Sequence, residues 1–401
     1  MDNFHVFLVV TKSKDLKRAI HHLKLSVITL TKRTKKSYPQ IDEFSHIRFA
    51  PDGGVALVAP ARAKKPTSLE GICIFCPDAR SNLAEPYSGM DLAEMNRRGV
   101  YILDNAYPVT LPRESELGID RRFAHGFGGV FYDWDTAVGR HLVMIETPNH
   151  KLNPFSKSRE TASYYKNLVW GYIQMLKSLR EEGFRWGSVG KNRNGKFEAG
   201  ASQEHLHSQA LAANFDVTRL DNLVRLSGRH EDNLIIDGLG YTMHEVCSAC
   251  KEVRDNRFYN RKAGRRLFED DSPYVSFVAP VPRGENPYHF EVRIAPLSHQ
   301  SHFEDMTPEQ ADAFAVTLHK NMEILGRRFP NLGFNYILWQ GPWKAKGRDD
   351  IRNSHWEFSI YPSSSKEYEK HTGFIPHLLG APVLKSTPEQ LAREIIGYQR
   401  K

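Results

Sequence analysis

Two intervals of nearly equal length, each bounded by histidines, constrain the fold of this chain more than any other feature. His150 and His205 lie 55 residues apart, and His299 and His355 lie 56 residues apart. In each interval apolar residues recur at helical spacing and are followed by a strand-like segment and a loop. Because the order of elements repeats, we predict an internal duplication. We therefore expect an α+β fold of two antiparallel-sheet repeats with helices packed on the sheets.

The two predicted helices carry clear boundary signals. The apolar periodicity of residues 158–182 ends at Gly183. In the second interval, residues 307–310 (TPEQ) are typical of a helix start with a capping box, and the periodicity continues to about Arg328.

All four cysteines of the chain occur in two C-x-x-C motifs. Such a motif places two thiolates on one tight turn, at the spacing that tetrahedral zinc requires. Each repeat also supplies two histidines at equivalent positions. The first predicted zinc site comprises Cys73, Cys76, His150 and His205, and the second comprises Cys247, Cys250, His299 and His355. Four protein ligands leave no open position, so we expect two structural zinc ions. Ordinary reduced cysteine pairs, or a redox motif, are the alternative.

Composition favours a soluble cytoplasmic protein with anionic partners. Four cysteines in 401 residues are too few for a secreted disulfide scaffold, and we recognise neither a secretory signal nor a membrane-spanning apolar stretch. A hydrophobic fraction of 40% argues against disorder. The net charge of +8 favours phosphates, nucleotides or nucleic acid as partners without choosing among them.

The sequence predicts three parts. Residues 1–44 form a basic N-terminal extension, with nine lysines and arginines but one acidic residue between Lys12 and Lys36. A solvated extension or leading helix is our interpretation of this segment, and a nucleic-acid-binding arm is the alternative. We expect residues 45–240 to form an N-terminal repeat that carries the catalytic residues. We expect residues 241–401 to form a C-terminal repeat that serves as a scaffold and contributes contacts to the molecule that accepts the transferred group.

The segment 205–209 (HLHSQ) is the strongest candidate for catalytic chemistry. In an extended strand, His205, His207 and Gln209 share one face at a spacing of about 7 Å, so one histidine can bind metal while the next faces a pocket. Gln209 can hydrogen-bond phosphate oxygens without exchanging a proton. The small residues 199–202 (AGAS) allow backbone N–H groups to approach a phosphate, and a histidine beside them can carry a nucleotidyl group covalently. The alternative is a strand whose polar residues face solvent or a metal.

These motifs resemble the galactose-1-phosphate uridylyltransferase-like family of the histidine-triad (HIT) superfamily, which includes ADP-glucose phosphorylase-like relatives. The resemblance runs from about residue 48 to the C-terminus. The family-like segments are 55–66 (VALVAPARAKKP), 145–150 (IETPNH), 200–209 (GASQEHLHSQ), 290–299 (FEVRIAPLSH) and 355–362 (HWEFSIYP). The resemblance implies a duplicated HIT-like fold.

The resemblance also implies roles for individual residues. His207 would be the nucleophile that carries a nucleoside monophosphate, and Ser202 and Gln209 would contact its phosphate. The implied substrate-binding residues are Arg62, Lys65, Asn105, Asn192, Gly200, Ala201 and Glu369. Within that set, Asn105 would face the nucleoside and Glu369 the hexose.

Three positions depart from the family pattern. Leu206 stands where the uridylyltransferases usually have proline, and Glu357 and Ser359 replace an H-x-H that some members use for a second metal. The second C-x-x-C instead matches relatives with a Cys, Cys, His, His site. These departures leave open the nucleobase, the sugar and the acceptor.

We therefore expect a nucleotidylyltransferase that moves a nucleoside monophosphate from a nucleotide sugar to a phosphorylated acceptor by a ping-pong reaction. The first alternative is a phosphorylase that cleaves an ADP-sugar or a dinucleoside polyphosphate with inorganic phosphate. The second alternative is a zinc protein that binds nucleic acid. The expected small-molecule partners are a nucleotide sugar or other nucleoside pyrophosphate, and a sugar phosphate or inorganic phosphate. We expect neither a membrane nor nucleic acid as a partner, and the sequence allows a homodimer without requiring one.

Overall fold

The computed structural model describes the strands and helices that surround the predicted site. The described residues are 46–49, 55–58, 73–78, 85–111, 133–196, 199, 201–215, 247, 249–250, 252–253, 265–268, 271–280, 290–344, 354–363, 392–393 and 395. The chain divides into two compact units, Met1–Glu43 and Phe44–Lys401, and all described residues lie in the second. The predicted extension 1–44 and the predicted repeat boundary after residue 240 lie outside the described residues.

The helices of the described residues include α1 (Leu92–Arg98), α2 (Arg159–Glu181) and α3 (Pro308–Arg328). Before α2 the Ser158 side chain accepts a hydrogen bond from the Thr161 N–H, and Gly183 follows its end with a φ of 83°. Thr307 and Gln310 form the predicted capping box of α3. The predicted boundaries of both long helices are thus confirmed. Within the described part of the chain, no helix combines the length and apolar character needed to cross a membrane.

The strands pair into two antiparallel sheets. In chain order they are β1 (His46–Phe49), β2 (Val55–Val58), β3 (Tyr101–Asp104), β4 (Asp133–Thr136), β5 (Gly139–Ile145), β6 (Trp186–Arg193), β7 (His207–Ala213), β8 (Tyr274–Val278), β9 (Val292–Pro296), β10 (Gly333–Trp339) and β11 (Glu357–Ser363). The small sheet has the order β2-β1-β4, and the large sheet has the order β3-β5-β7-β6-β10-β11-β9-β8.

The order of the large sheet shows the duplication directly. Strands β3, β5, β7 and β6 of the first repeat occupy the same relative positions as β8, β9, β11 and β10 of the second. The two repeats meet at the centre, where β6 pairs with β10 and Asn192 lies opposite Asn335. The predicted duplicated α+β fold is therefore confirmed, with one continuous sheet in place of two separate ones. This central pairing joins an edge strand of each repeat over four residue pairs.

Helices α2 and α3 pack on one face of the large sheet. Leu142 of β5 and Ala210 and Ala212 of β7 are fully buried in the core on that face. Because side chains alternate along a strand, His207 and Gln209 lie on the opposite face, away from the helices.

Strand β7 begins two residues later than predicted. The sequence predicts an extended strand from His205, but the regular strand begins at His207. Leu206 is buried in the core on the helix face, and its carbonyl accepts a hydrogen bond from the Glu146 N–H at 3.1 Å. The chain bends at His205, and the imidazole of this residue approaches the first cysteine pair.

Candidate active site and metal centres

The first predicted ligand set comes together just before β7. Cys76 Sγ lies 3.4 Å from His150 Nδ1 and 3.6 Å from His205 Nδ1. Cys73 Sγ lies 3.5 Å from His205 Nδ1, and all four ligand atoms lie within 4.8 Å of one another. A tetrahedral zinc ion with bonds of about 2.3 Å to sulfur and about 2.1 Å to nitrogen holds its ligands about 3.6 Å apart. The observed distances fit that geometry.

The second ligand set comes together in the same way. Cys250 Sγ lies 3.3 Å from His299 Nδ1 and 3.1 Å from His355 Nδ1, and with Cys247 the four ligand atoms lie within 4.8 Å of one another. Hydrogen bonding to Cys250 and to the two histidines lowers the pKa of Cys247 well below its ordinary value. A thiolate, which is the form that binds metal, is thus favoured here.

Both clusters orient a histidine through a backbone carbonyl. His205 Nε2 donates to the Thr147 carbonyl at 2.8 Å, and His355 Nε2 donates to the Pro296 carbonyl at 3.1 Å. Each hydrogen bond places the proton on Nε2 and leaves Nδ1 as the ligand atom facing the cysteines. The eight predicted ligands therefore fit two closed four-ligand metal centres, with the donor set that zinc prefers.

His207 is held in one tautomer by the strand that carries it. Its Nδ1 lies 2.8 Å from the His205 carbonyl oxygen, so Nδ1 carries the proton and donates it. The lone pair of the neutral ring is then on Nε2. The side chain is 6% exposed, and the Phe75 ring packs against the imidazole with 5.2 Å between centroids. A neutral imidazole with a fixed lone pair is a nucleophile near pH 7.

Gln209 and Asn105 meet around a histidine that the sequence analysis missed. Gln209 lies two residues along β7 from His207 and on the same face. Its Oε1 lies 2.8 Å from His141 Nε2, and Asn105 Nδ2 lies 3.1 Å from the same nitrogen. His141 belongs to none of the motifs of the sequence. It comes close to Gln209 because β5 pairs with β7.

A second missed residue connects the two repeats at the site. Asn335 of β10 donates from Nδ2 to the side-chain oxygen of Asn192 at 2.5 Å and to the Ala199 carbonyl at 3.0 Å. Asn192 is a predicted substrate contact, and Ala199 belongs to the small-residue segment before β7. The second repeat thus supports the first repeat's site directly.

The small-residue segment is organised by a third missed residue, Asn194. Its side-chain oxygen accepts hydrogen bonds from the N–H groups of Ala199 at 2.8 Å and Ala201 at 3.0 Å, and its amide nitrogen donates to the Ala201 carbonyl at 2.9 Å. Asn194 therefore accepts two N–H groups of the predicted cradle, and a contact between the cradle and a phosphate stays a prediction. Ser202, the next residue along, is half-buried.

A buried ion pair lies on the helix face, behind the candidate site. Glu146 and Lys191 form the pair, and both side chains are fully buried. Tyr164 donates to Glu146 at 2.7 Å, and Ser208 donates to the same carboxylate. Burial lowers the pKa of Lys191, and the charge of Glu146 opposes that change. The pair connects the end of β5 to β6, β7 and α2.

Removing one partner of this pair should destabilise the protein strongly. We expect Lys191→Met to lower the free energy of unfolding by about 3–5 kcal/mol, because it leaves the Glu146 carboxylate buried without its counter-charge. The matched control is the double variant Lys191→Met with Glu146→Gln, which removes both charges and should recover part of the loss. Urea unfolding measures both effects. Equal stability of Lys191→Met and the wild type would contradict the prediction.

The second repeat carries a different set of side chains at the equivalent place. Glu357 begins β11 as His207 begins β7. Arg293 lies 4.0 Å from Glu357 and donates from Nε to Glu291 at 2.8 Å, and Ser359 donates to Glu291 at 2.5 Å. This buried cluster of charges offers no imidazole at the position of the nucleophile.

The structure describes some of the predicted substrate contacts but not all of them. Gln209 and Asn192 lie on the face that carries His207, and Asn105 meets Gln209 at His141. Ala201 is bound to Asn194, and Ser202 follows it in the chain. Four predicted substrate-binding residues lie outside the described residues, namely Arg62, Lys65, Gly200 and Glu369.

Comparison with known proteins supports both the fold and the resemblance. No family model matches the chain. A curated relative, ADP-glucose phosphorylase from Arabidopsis thaliana, is 24% identical over 327 residues, which cover 77% of this chain and 81% of the relative.

Two solved structures extend the comparison. A uridylyltransferase structure matches with a TM-score of 0.65 and 24% identity, covering 88% of this chain and 98% of that one. ADP-glucose phosphorylase from Arabidopsis thaliana with bound ADP-glucose matches with a TM-score of 0.60 and 20% identity, covering 86% of this chain and 95% of that one. The predicted fold and the predicted resemblance to the uridylyltransferase-like proteins are confirmed.

Proposed function

We propose that this chain, which has the fold of the uridylyltransferases, transfers a nucleoside monophosphate from a nucleotide sugar to a phosphorylated acceptor through a covalent nucleotidyl-histidine on His207. The observation that carries the proposal is the hydrogen bond from His207 Nδ1 to the His205 carbonyl, since it leaves the lone pair on Nε2. The substrate class is supported by the ADP-glucose phosphorylase relative and by its structure with bound ADP-glucose.

The reaction consists of two displacements at one phosphorus. In the first, His207 Nε2 attacks the phosphorus that bears the nucleoside, an N–P bond forms, and the P–O bond to the sugar phosphate breaks. The sugar phosphate leaves with that bonding pair. In the second, a phosphate oxygen of the acceptor attacks the same phosphorus, and the N–P bond breaks to regenerate the neutral imidazole.

Neutral side chains around His207 favour transfer over hydrolysis. The amide of Gln209 can stabilise phosphate oxygens but cannot take a proton from an attacking water. Asn192 adds a second uncharged amide on this side of the sheet, and in our proposal Ser202 contributes a hydroxyl. An acceptor that already carries a phosphate brings its own anionic nucleophile and needs no general base.

In our proposal the metal ions hold segments of the chain in place and do not contact the substrate. Zinc held by Cys73, Cys76, His150 and His205 would fix the chain at His205. The backbone carbonyl of His205 accepts the hydrogen bond from His207 Nδ1. The second set, in the other repeat, would fix the start of β11. Both sets supply four protein ligands, so neither leaves a position for substrate.

A phosphorylase is the second candidate function. In that reaction inorganic phosphate is the acceptor and an ADP-sugar is cleaved to ADP and the sugar 1-phosphate. The specific observation in its favour is the ADP-glucose phosphorylase relative, which covers most of both chains. The covalent step on His207 would be the same, and only the second displacement would differ.

Isotope exchange without an acceptor tests the double displacement. The protein is incubated with ADP-glucose and labelled glucose 1-phosphate, and in a parallel reaction with UDP-glucose and the same label. A covalent nucleotidyl-enzyme transfers label into the matching nucleotide sugar, so the absence of exchange would contradict it. A direct transfer exchanges label only if glucose 1-phosphate itself serves as the acceptor, and it leaves no nucleotidyl group on the protein when the donor is given alone. Adding phosphate or galactose 1-phosphate then separates the two candidate functions by the nucleotide released.

We expect the second repeat to be catalytically silent. A carboxylate at Glu357 would repel an incoming phosphate and form only a labile acyl phosphate. Peptide mapping after trapping should therefore find no nucleotidyl group beyond Val246. In the Glu357→Gln variant, the amount of trapped nucleotidyl group per folded molecule should stay within about twofold of the wild-type amount, even if the substitution changes the stability of the protein. A nucleotidyl group on any residue after Val246 would contradict this prediction.

A further inference from the structure

His141 is buried beside the candidate site and has no part in the proposed displacements. It lies on β5 opposite Leu211 of β7, and the neighbouring pair on that face is Val143 with Gln209. The imidazole of His141 therefore reaches Gln209 diagonally across the two strands. Its side chain is 6% exposed, so its ring nitrogens depend on protein partners for hydrogen bonds.

The hydrogen bonds of His141 determine its tautomer. The Val109 backbone N–H donates to His141 Nδ1 at 3.2 Å. A backbone N–H is always a donor, so Nδ1 is the acceptor and the proton of the neutral ring is on Nε2. That Nε2–H then donates to Gln209 Oε1 at 2.8 Å. The Asn105 amide is itself held, since its Oδ1 accepts the Tyr107 N–H at 2.9 Å. Its Nδ2 lies 3.1 Å from Nε2 and 3.5 Å from Nδ1 of His141, and because an amide NH₂ only donates, in this tautomer it pairs with Nδ1.

The direction of the bond to Gln209 decides which end of the amide a ligand meets. A glutamine amide has an acceptor oxygen on one side and two N–H donors on the other. With Oε1 engaged by His141, the NH₂ group is the end turned from the imidazole. A phosphate needs donors, and the opposite amide orientation would set an oxygen lone pair against a phosphate oxygen.

We propose that His141 is a positioning residue that fixes the Gln209 amide with its N–H donors toward the phosphate. This inference rests on the proposed function. It means that two groups of the site, the nucleophile and the amide donor, are each held in one orientation. The His205 carbonyl sets the tautomer of the nucleophile, and the His141 imidazole sets the orientation of the amide donor. Preorganised donors of this kind need no reorientation as charge develops on the phosphate.

Two isosteric variants separate this role from a structural one. His141→Gln retains an N–H donor near the position of Nε2 but loses the acceptor for the Val109 N–H. His141→Asn retains an acceptor near the position of Nδ1 but loses the donor to Gln209. We expect the single-turnover rate of nucleotidylation to fall about tenfold in His141→Asn and to stay within about threefold in His141→Gln. The reverse order would overturn the proposal and indicate support of the Val109 backbone instead.

A double-mutant cycle with Gln209→Ala tests whether His141 acts through that amide. In the Gln209→Ala background, His141→Asn should lower the rate by less than about twofold further, because the group that it positions is absent. An undiminished tenfold loss would overturn the proposal. The dissociation constants of AMP and UMP, measured on the same four proteins, should show the same pattern of coupling.

Two further measurements keep the proposal separate from the covalent mechanism. If wild-type protein forms no nucleotidyl adduct, the proposed function fails, and coupling in the AMP and UMP constants still decides the role of His141. If His141→Asn does not fold, the ¹⁵N chemical shifts of the wild-type imidazole decide it. We expect a neutral ring protonated at Nε2, and protonation at Nδ1 would overturn the proposal.

Discussion

Replacing His207 by glycine should lower turnover by a factor on the order of 10⁴ or more, because it removes the only group proposed to form a bond to phosphorus. The protein should still fold, since the main core lies on the other face of the sheet. It should also keep both metal ions, because His207 is not one of their ligands. Steady-state rates, elemental analysis and thermal unfolding measure the three properties on one preparation.

A matched histidine variant controls for the loss of an imidazole. His319 of α3 also hydrogen-bonds a backbone carbonyl, that of Ser156 at 2.7 Å, but it lies on the helix side of the sheet. We expect His319→Gln to retain turnover within about threefold. Substantial turnover by His207→Gly, or by His207→Asn, would rule out His207 as the carrier of the nucleotidyl group. It would leave only the fold assignment.

Losing a cysteine of either metal cluster should cost stability more than chemistry. Binding of structural zinc is largely folding free energy, so Cys76→Ala should lower the free energy of unfolding by several kcal/mol, on the order of 3 or more. Metal-replete wild-type protein should contain two zinc ions, and this variant should contain one. A wild-type content of one zinc or less would contradict the two-site prediction.

The second cluster provides the matched comparison for Cys76. Cys250→Ala should also lose one zinc ion and a similar amount of stability, because the two clusters have the same ligand set. The folded fraction of Cys250→Ala should nevertheless react near the wild-type rate. The folded fraction of Cys76→Ala should react more slowly, because the His205 carbonyl also orients His207. Equal rates for both folded fractions would show that the first cluster does not orient the nucleophile.

The sequence alone predicted the features that depend on spacing. The C-x-x-C motifs and the histidines of the repeat intervals identified the two four-residue clusters that could hold metal. The helix signals at Thr307 and Gly183 placed the ends of the helices within a residue. The two predictions succeed for different reasons. A helix cap depends on its immediate neighbours, and a duplicated ligand set is marked twice in the chain.

The residues that orient the site could not be predicted in this way. His141, Asn194 and Asn335 act through side-chain hydrogen bonds whose partners are set by strand register or loop geometry. No periodicity in the sequence determines that β6 pairs with β10, which brings Asn335 to Asn192. The partner of the Ala199 and Ala201 N–H groups was missed for a related reason, since Asn194 lies outside the small-residue motif.

The buried ion pair of Glu146 and Lys191 was missed because a lysine is ordinarily expected to be exposed. Lys191 is fully buried beside Glu146, whereas a lysine in a polar loop-like segment is usually exposed. Its partner lies 45 residues away in the chain. Only the pairing of β5, β6 and β7 brings the two side chains together.

The most direct test of the covalent mechanism is the intact mass of the protein after incubation with a nucleotide sugar and no acceptor. We predict a gain of one nucleoside monophosphate, in an acid-labile, hydroxylamine-resistant bond on the peptide that contains His207. Subsequent addition of a sugar phosphate or inorganic phosphate should remove it. The absence of any adduct with both UDP- and ADP-sugars, or an adduct on another residue, would contradict the proposed mechanism.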